Sequence, residues 1–363
     1  MTEASTRSPR PELHARIWWT CFALERLFEL ETTRPTAISH IEHDTFSPIQ
    51  VFSAEAQAKF MYFIHWISLA MIFERITTLL YRRKRNPDNS FQLLQNIGIL
   101  DQSLRDWKNR LPEDIQPDGD FYCSDEDRPF ATFLALHYHQ ALITLHRASL
   151  VLPHNQFLEE IEAHASNLPF HRRLGSGASL CSASACATIR LMARMGGRIQ
   201  TPLYTLTQIF HGCVVLGLSI LRQPQSRTVR SDLELVVTGT ELAENEYRRI
   251  GQDPKFIEAC SIIRNSLNTY VQQRELPRPM QDAVQRPRQH SLATSISISE
   301  STMTDFASIP DPALNSTLDE SHRIDLDHAS LFEGVSLEDL WNMGADAVLN
   351  PQNDSPGTQF PFL

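Results

Sequence analysis

The fold is predicted most clearly by one apolar stretch that contains two adjacent tryptophans, His14-Ala15-Arg16-Ile17-Trp18-Trp19-Thr20-Cys21-Phe22-Ala23-Leu24-Glu25-Arg26. Successive side chains of an α-helix point about 100° apart, so two adjacent tryptophans are both buried only where several other helices surround theirs. Arg16, Glu25 and Arg26 are charged residues among apolar ones, which predicts ion pairs that anchor the helix in a crowded interior. The stretch therefore predicts an all-α, multi-helix globular body.

Apolar residues at helical spacing predict further helices along the chain. A first helix should run from Pro11 to about Glu31, and Ser53 should cap a second that continues to about Arg83. Residues 153–177 are predicted to form a polar connection, and no alternation of the strand type is sustained. The remaining helices are expected near residues 93–111, 133–147, 179–195, 203–221, 232–246 and 254–273.

Two of these helices allow a second interpretation. Leu93, Ile97, Leu100, Leu104, Trp107 and Leu111 follow the spacing of a coiled-coil seam, which favours packing inside the chain over dimerisation. The apolar run from Leu203 to Leu221 approaches the length of a membrane span, but Gln208 and His211 favour a buried core helix. No membrane association is therefore expected.

Three motifs in a fixed order resemble the fungal-specific transcription factor regulatory domain, also called the middle homology region, of the zinc binuclear cluster family. The first is the Trp-Trp stretch followed by Arg-Pro, the second joins a Trp to Leu-Pro, and the third joins a Tyr to Leu-His-Arg. Thr33 stands where that family has a glycine. The signature residues, expected to be structural, are Arg16, Trp18, Trp19, Arg26, Arg34, Pro35, Trp107, Leu111, Pro112, Tyr138, His146 and Arg147.

Charge divides the chain into a body and a tail. The whole chain has a net charge of −10, yet residues 291–363 hold twelve acidic residues and one basic residue, Arg323. The tail thus carries −11 and the rest is close to neutral. We predict a disordered N-terminus (1–10), an all-α regulatory domain (11–274) and a disordered Ser/Thr-rich and acidic tail (275–363).

In one segment of the tail, residues 331–341, bulky apolar side chains are interspersed with acidic ones. Such a segment is typical of a transcriptional activation region that docks into a coactivator groove, and docking onto the protein's own body is an equal alternative. Its apolar residues, the candidates for that contact, are Leu331, Phe332, Leu337, Leu340 and Trp341.

A basic run, Arg82-Arg83-Lys84-Arg85, closes the second predicted helix. Cations at a helix C-terminus complement its partial negative charge, which is the simpler interpretation. The alternative is a nuclear-import signal, because a short cationic run on an exposed loop suits an acidic receptor.

The sequence offers no catalytic constellation. It has no Gly-x-Ser-x-Gly elbow, phosphate loop or His-Glu-x-x-His motif, and its six cysteines include no Cys-x-x-Cys pair. We therefore expect a protein without enzymatic activity, metal site or cofactor of its own. His137, His139 and His146 are expected to be packed or surface histidines rather than ligands.

The resemblance implies a nuclear regulator of RNA polymerase II transcription, with coactivators or related transcription factors as partners and possible homodimerisation. Family members usually carry a DNA-binding cluster of six cysteines that binds zinc. This sequence has no such cluster, so zinc and DNA binding are expected only through a missing or partner domain. The alternatives are a stand-alone protein that titrates related regulators or coactivators, and an all-α protein that binds a small molecule between its helices.

Overall fold

The computed structural model describes residues 11–32, 38, 52–82, 90–195 and 206–275, and all regular structure in these residues is helical. The predicted all-α class is confirmed. The described helices are α1 (Pro11–Thr32), α2 (Ala54–Lys59), α3 (Met61–Ile76), α4 (Ser90–Asn109), α5 (Arg128–His146), α6 (Ala148–Val151), α7 (His154–Ala165), α8 (His171–Gly175), α9 (Gly177–Met195), α10 (Leu206–Arg222), α11 (Val229–Arg249) and α12 (Pro254–Glu275).

Helix α5 is the centre of the molecule. One of its faces packs into an N-terminal core built with α1, α3, α4 and α7, and another packs into a C-terminal core built with α9 to α12. Tyr138 and Leu142 belong to the N-terminal core, whereas Leu136 and Ile143 belong to the C-terminal core. Because both faces are covered, almost every residue from Ala131 to His146 is buried.

The predicted second helix is interrupted. Ser53 caps α2 as expected, since its hydroxyl accepts a hydrogen bond from the backbone N–H of Ala56. The helical geometry is then broken at Phe60, whose ring contacts Phe52 and lies under the guanidinium of Arg16. The chain resumes as α3 and ends in a π-helical turn, Thr77–Arg82. The continuous helix was a wrong prediction, because these tertiary contacts outweigh local helical preference.

The predicted polar connection between residues 153 and 177 was also wrong. Phe157, Ile161 and Ala165 recur every fourth residue and form a buried stripe of α7, while the other faces of that helix are polar. The short helix α8 follows. It is reached through Phe170, whose ring lies so close to Gly98 of α4 that a Cβ there would come within 2.1 Å of it. Polar composition concealed a helix with a single narrow apolar face.

The burial of α4 and α10 distinguishes between the alternative interpretations of these two helices. The seam residues Ile97, Leu100, Leu104 and Trp107 are buried in the N-terminal core, which confirms packing inside the chain. Helix α10 lies in the C-terminal core, as predicted. By length and composition alone, the segment Met61–Leu80 would also suit a membrane span. It packs against α1, α4 and α5, however, and contributes much of the N-terminal core.

Candidate functional site

Seven of the signature residues lie on α1, α4 and α5, and α3 packs against all three helices. They are Arg16, Trp18, Trp19, Arg26, Trp107, Tyr138 and His146. We call the contacts between these four helices the signature scaffold. The helices meet in the N-terminal core, where α3 packs against each of the other three. The motifs, far apart in sequence, are therefore parts of one structural unit.

Trp107 of the second motif joins three helices. Its indole Nε1–H donates hydrogen bonds to the backbone oxygen of His65 and to the hydroxyl of Ser68, both at 3.0 Å, and these bonds hold α4 against α3. On its other side the fully buried ring stacks on Tyr138 of α5, with centroids 5.8 Å apart. Satisfying the N–H inside the core removes the cost of burying it unpaired.

His146 of the third motif is held by an acid that sequence reasoning missed. Its Nε2 lies 3.0 Å from Oδ1 of Asp101 on α4, and both side chains are about 2% exposed. The other carboxylate oxygen accepts a hydrogen bond from Nε of Arg173 and lies 3.3 Å from Nε of Arg105. We call these four residues the Asp101 cluster. It ties α4 to the end of α5 and, through Arg173, to α8.

Electrostatics keep Asp101 ionised. Burial alone raises the pKa of a carboxyl group, but the hydrogen bonds from His146 and Arg173 outweigh it, so the pKa of Asp101 lies below its ordinary value. Ser149 does not extend this pair toward a nucleophilic triad, because its hydroxyl donates to the backbone oxygen of His146, at 2.7 Å. Asp101 and His146 are buried, whereas the Arg105 and Arg173 side chains are partly exposed, which is the geometry of a structural ion pair at the margin of a core.

Arg26 of the first motif is the most deeply buried cation of the scaffold. Its guanidinium lies 3.0 Å from a carboxylate oxygen of Glu29, 3.5 Å from one of Glu25 and 3.7 Å from one of Glu74. It also stacks over the ring of Phe22 at 4.8 Å. Since Glu74 belongs to α3, these contacts confirm the ion pairs predicted for this helix and fix α1 on α3.

The two tryptophans are buried to different degrees. Trp19 is 5% exposed in the N-terminal core, while Trp18 is half-buried and stacks on Phe22 with centroids 5.6 Å apart. Their rings meet edge to face at 4.6 Å. The structure thus departs from the expectation that both are fully buried, because α1 lies at the margin of the fold and packs chiefly against α3.

The remaining predicted residues are distributed as follows. Leu111 is buried, and Pro112 opens the 3-10 turn Glu113–Ile115. Arg147 links α5 to α6, and Arg82 is the last residue of the π-helical turn. The other predicted residues lie outside the described part of the chain: Arg34, Pro35, Arg83, Lys84, Arg85, Leu331, Phe332, Leu337, Leu340 and Trp341.

Sequence reasoning missed Asp101, Arg173 and Glu74. A signal existed for Asp101, because it lies four residues after Ile97 and three before Leu104, on the buried face of the seam. A carboxylate on such a face requires a buried partner. No pattern pointed to Arg173, which was assigned to the polar connection.

Two further histidines are buried without their full complement of hydrogen bonds. Nδ1 of His137 lies 2.6 Å from the backbone oxygen of Phe133, and Nε2 of His139 lies 3.4 Å from that of Pro117. Burial lowers the pKa of each to about 4, so both are neutral at pH 7. They are packed in the interior, as predicted.

The residues present do not fit a zinc cluster. The six cysteines are free thiols spread over α1, α9, α10, α12 and the loop before α5; Cys21 is exposed, Cys123 and Cys186 are partly exposed, and the other three are buried. Within the described residues no three His, Cys, Asp or Glu side chains converge as metal ligands.

Comparison with known proteins gives relatives of one kind. An ABC-transporter-regulating transcription factor of Aspergillus fumigatus is 26% identical over 245 residues, which are 62% of this chain and 26% of that protein. The protein of the same name in Aspergillus oryzae is 25% identical over the same length. An uncharacterized transcriptional regulatory protein of Schizosaccharomyces pombe is 22% identical over 323 residues, or 82% of this chain and 39% of the relative.

This chain is similar to fungal transcription regulators. It spans between about a quarter and two fifths of the length of these relatives. No family model matches the chain, and no solved structure matches it either. Similarity over 62% to 82% of the chain to proteins named as transcription regulators therefore agrees with the resemblance found in the motifs.

Proposed function

We propose that this chain is the regulatory and activation portion of a fungal regulator of RNA polymerase II transcription. The observation that carries the proposal is the similarity over 62% of the chain to transcription factors of two Aspergillus species. The signature scaffold supports it, because the three motifs that carry the resemblance meet in one set of buried contacts. The buried Asp101–His146 pair favours a structural role over catalysis.

In this proposal the body and the tail have different roles. The helical body presents a rigid surface to related transcription factors and positions the tail, and the acidic tail recruits coactivators through Leu331, Phe332, Leu337, Leu340 and Trp341. DNA and zinc binding belong to another domain or to a partner. The chain acts in the nucleus, with Arg82-Arg83-Lys84-Arg85 as the proposed import signal, and homodimerisation is compatible with this arrangement.

A tethering experiment tests the proposal. The full chain is fused to a bacterial repressor's DNA-binding domain and expressed in yeast beside a reporter that carries the repressor's operator. We expect reporter output well above that of the DNA-binding domain alone. Equal output from the two, at matched nuclear protein levels, would refute an activating role.

A second candidate function, small-molecule binding, is favoured by one buried polar group. Gln208 is 1% exposed at the start of α10, and among the described residues neither its amide oxygen nor its amide nitrogen has a hydrogen-bond partner. Thr207 beside it is equally buried with an unpaired hydroxyl, and one turn later His211 Nδ1 lies 3.4 Å from Nε2 of Gln140. A ligand or ordered water that pairs with these groups would offset their desolvation cost.

A measurement of the melting temperature distinguishes the two functions. A compound that binds only the folded chain raises its melting temperature with the logarithm of its concentration. We would screen neutral compounds that carry an amide or hydroxyl group, with Gln208→Leu as the matched variant. Stabilisation of the wild type that is lost in the variant supports binding at this site. A response that is the same in both proteins excludes it.

A further inference from the structure

Three aromatic side chains form an exposed surface where α3 and α5 begin. We call Tyr62, Tyr122 and Phe130 the aromatic patch. The ring of Tyr62 stacks on that of Phe130, with centroids 5.6 Å apart, and Phe130 is 56% exposed. Tyr122 is 82% exposed, and the next residue, Cys123, hydrogen bonds with the Tyr62 side chain. Tyr62 is only partly exposed, so the exposed apolar area comes from Phe130 and Tyr122. Exposed aromatic side chains that lie near one another are typical of interaction surfaces.

The aromatic patch is bordered by carboxylates. The loop from Glu113 to Asp127 contains seven acidic residues and no lysine or arginine. Three of the seven are paired with cations of the body: Asp118 with Lys108, Asp120 with Arg194, and Asp125 with Arg128. The other four, which form no ion pair in the described structure, are Glu113, Asp114, Glu126 and Asp127.

Two of the unpaired acids lie next to the rings. The backbone oxygen of Asp114 accepts a hydrogen bond from the backbone N–H of Tyr122, at 2.9 Å. Asp127 lies three residues before Phe130, and its carboxylate accepts a hydrogen bond from the hydroxyl of Ser124, at 2.8 Å. Burial raises the pKa of Tyr62, and the charges of Asp127 and Asp114 add to this effect. The patch therefore combines aromatic faces with negative charge in one place.

This combination of aromatic rings and carboxylates favours a partner segment that carries cations. An aromatic face attracts cations through its quadrupole, and a neighbouring carboxylate adds a direct charge interaction. Arginine satisfies both better than lysine, because its planar guanidinium stacks on a ring while its N–H groups pair with a carboxylate. Aliphatic or acidic segments gain neither contact.

We propose that the aromatic patch and its unpaired carboxylates are a docking surface for an arginine-rich segment of a partner protein. Arginine side chains stack on Phe130 and Tyr122, and Asp114 and Asp127 bind their outer N–H groups. This surface lies at the edge of the signature scaffold, where Tyr62 of α3 stacks on Phe130 of α5, and the proposal does not depend on the proposed function.

The probe is a fluorescently labelled eight-residue peptide that alternates arginine and glycine and is capped at both ends. Its binding to the full chain is followed by fluorescence anisotropy at moderate salt. We expect Tyr122→Ala and Phe130→Ala each to weaken binding by about threefold to fivefold, and the pair together by about tenfold or more. Asp114→Asn should weaken binding and also reduce its salt dependence.

Matched variants separate this surface from general attraction to an acidic protein. Phe91→Ala removes a ring of 46% exposure on α4, and Glu234→Gln removes an exposed acid on α11. Neither should change binding by more than about the assay error. A lysine–glycine peptide should bind more weakly than the arginine peptide.

Two results would overturn the proposal. One is the absence of binding to the wild type. The other is binding that Tyr122→Ala and Phe130→Ala leave unchanged, which would place the peptide on the acidic tail instead. Because both side chains are exposed, unchanged far-ultraviolet circular dichroism is expected and confirms that a loss of binding is not unfolding.

Discussion

Nε2 of His146 lies 3.0 Å from Oδ1 of Asp101, across a separation of 45 residues, with both side chains almost completely buried. This contact joins the third motif to the helix of the second. The same carboxylate also binds Arg173. One acid therefore holds α4, α5 and α8 together, and it gives the Leu-His-Arg motif a structural explanation.

Removing the acid should destabilise the fold strongly. Asp101→Ala leaves Arg173 and the His146 side chain without their buried partner, and breaking such a pair typically costs about 3–5 kcal/mol. We expect a loss of this size in urea denaturation of the full chain. Asp106→Ala is the control, because this acid is exposed on the same helix and should change stability by under about 0.5 kcal/mol. Equal effects of the two substitutions would contradict the buried-pair account.

Arg26 should not tolerate a conservative replacement. Its planar guanidinium contacts Glu25, Glu29 and Glu74 at once and also stacks on Phe22, a geometry that an ammonium group cannot reproduce. We predict that Arg26→Lys lowers stability by about 2 kcal/mol or more and that Arg26→Met lowers it further. Arg190→Lys, at an exposed position on α9, should be neutral. A fully stable Arg26→Lys protein would show that the carboxylates need only a positive charge.

The two signature tryptophans should differ in their contribution. Trp19→Ala removes a side chain that is 5% exposed and should cost about 3–5 kcal/mol, whereas the half-buried Trp18 should cost roughly half as much. Ile17→Ala, at an exposed position of the same helix, is expected to change stability little. The order is read from urea midpoints. If Trp18→Ala is the more damaging change, α1 packs differently from the arrangement described.

Acid should destabilise the body through its buried histidines. His137 and His139 have a pKa of about 4 in the folded protein and about 6.5 when unfolded. Above pH 6.5 both states are neutral and these residues add no pH dependence. As the pH falls from 6.5 to 4 the unfolded chain takes up protons first, so stability decreases, by up to about 3 kcal/mol for each histidine.

Replacement of the two histidines tests this window. A His137→Gln/His139→Gln protein should lose less stability than the wild type between pH 6.5 and 4, measured by thermal melting. His154→Gln changes an exposed histidine and should leave the profile as it is. Parallel profiles of wild type and double variant would show that other groups control acid stability.

Much of this architecture was predictable from local sequence. The seam through Leu100, Leu104 and Trp107 predicted a buried helix that ends before Pro112, and Ser53 predicted the start of α2. These features depend on residue spacing and on capping, both of which are local.

The failures have long-range causes. The break at Phe60 follows from its contacts with Arg16 and Phe52. His146 and Arg173, which hydrogen bond with Asp101, lie 45 and 72 residues away, and the residue pattern of one helix does not reveal such distant partners. Sequence identified the signature residues and Glu25, but not Asp101 and Glu74, the acids that join α4 to α5 and α1 to α3.

The most direct measurement for the proposed function is a dissection of the tail on the tethered full chain. Changing Leu331, Phe332, Leu337, Leu340 and Trp341 to alanine should abolish most reporter activation, because each buried apolar side chain contributes about 1.5–3 kcal/mol to binding before ordering costs. Changing Glu333, Glu338 and Asp339 to their amides should only weaken it, because exposed charges are screened by salt. Activation that survives the alanine changes, or a wild-type fusion that is silent while stably expressed in the nucleus, would contradict the account.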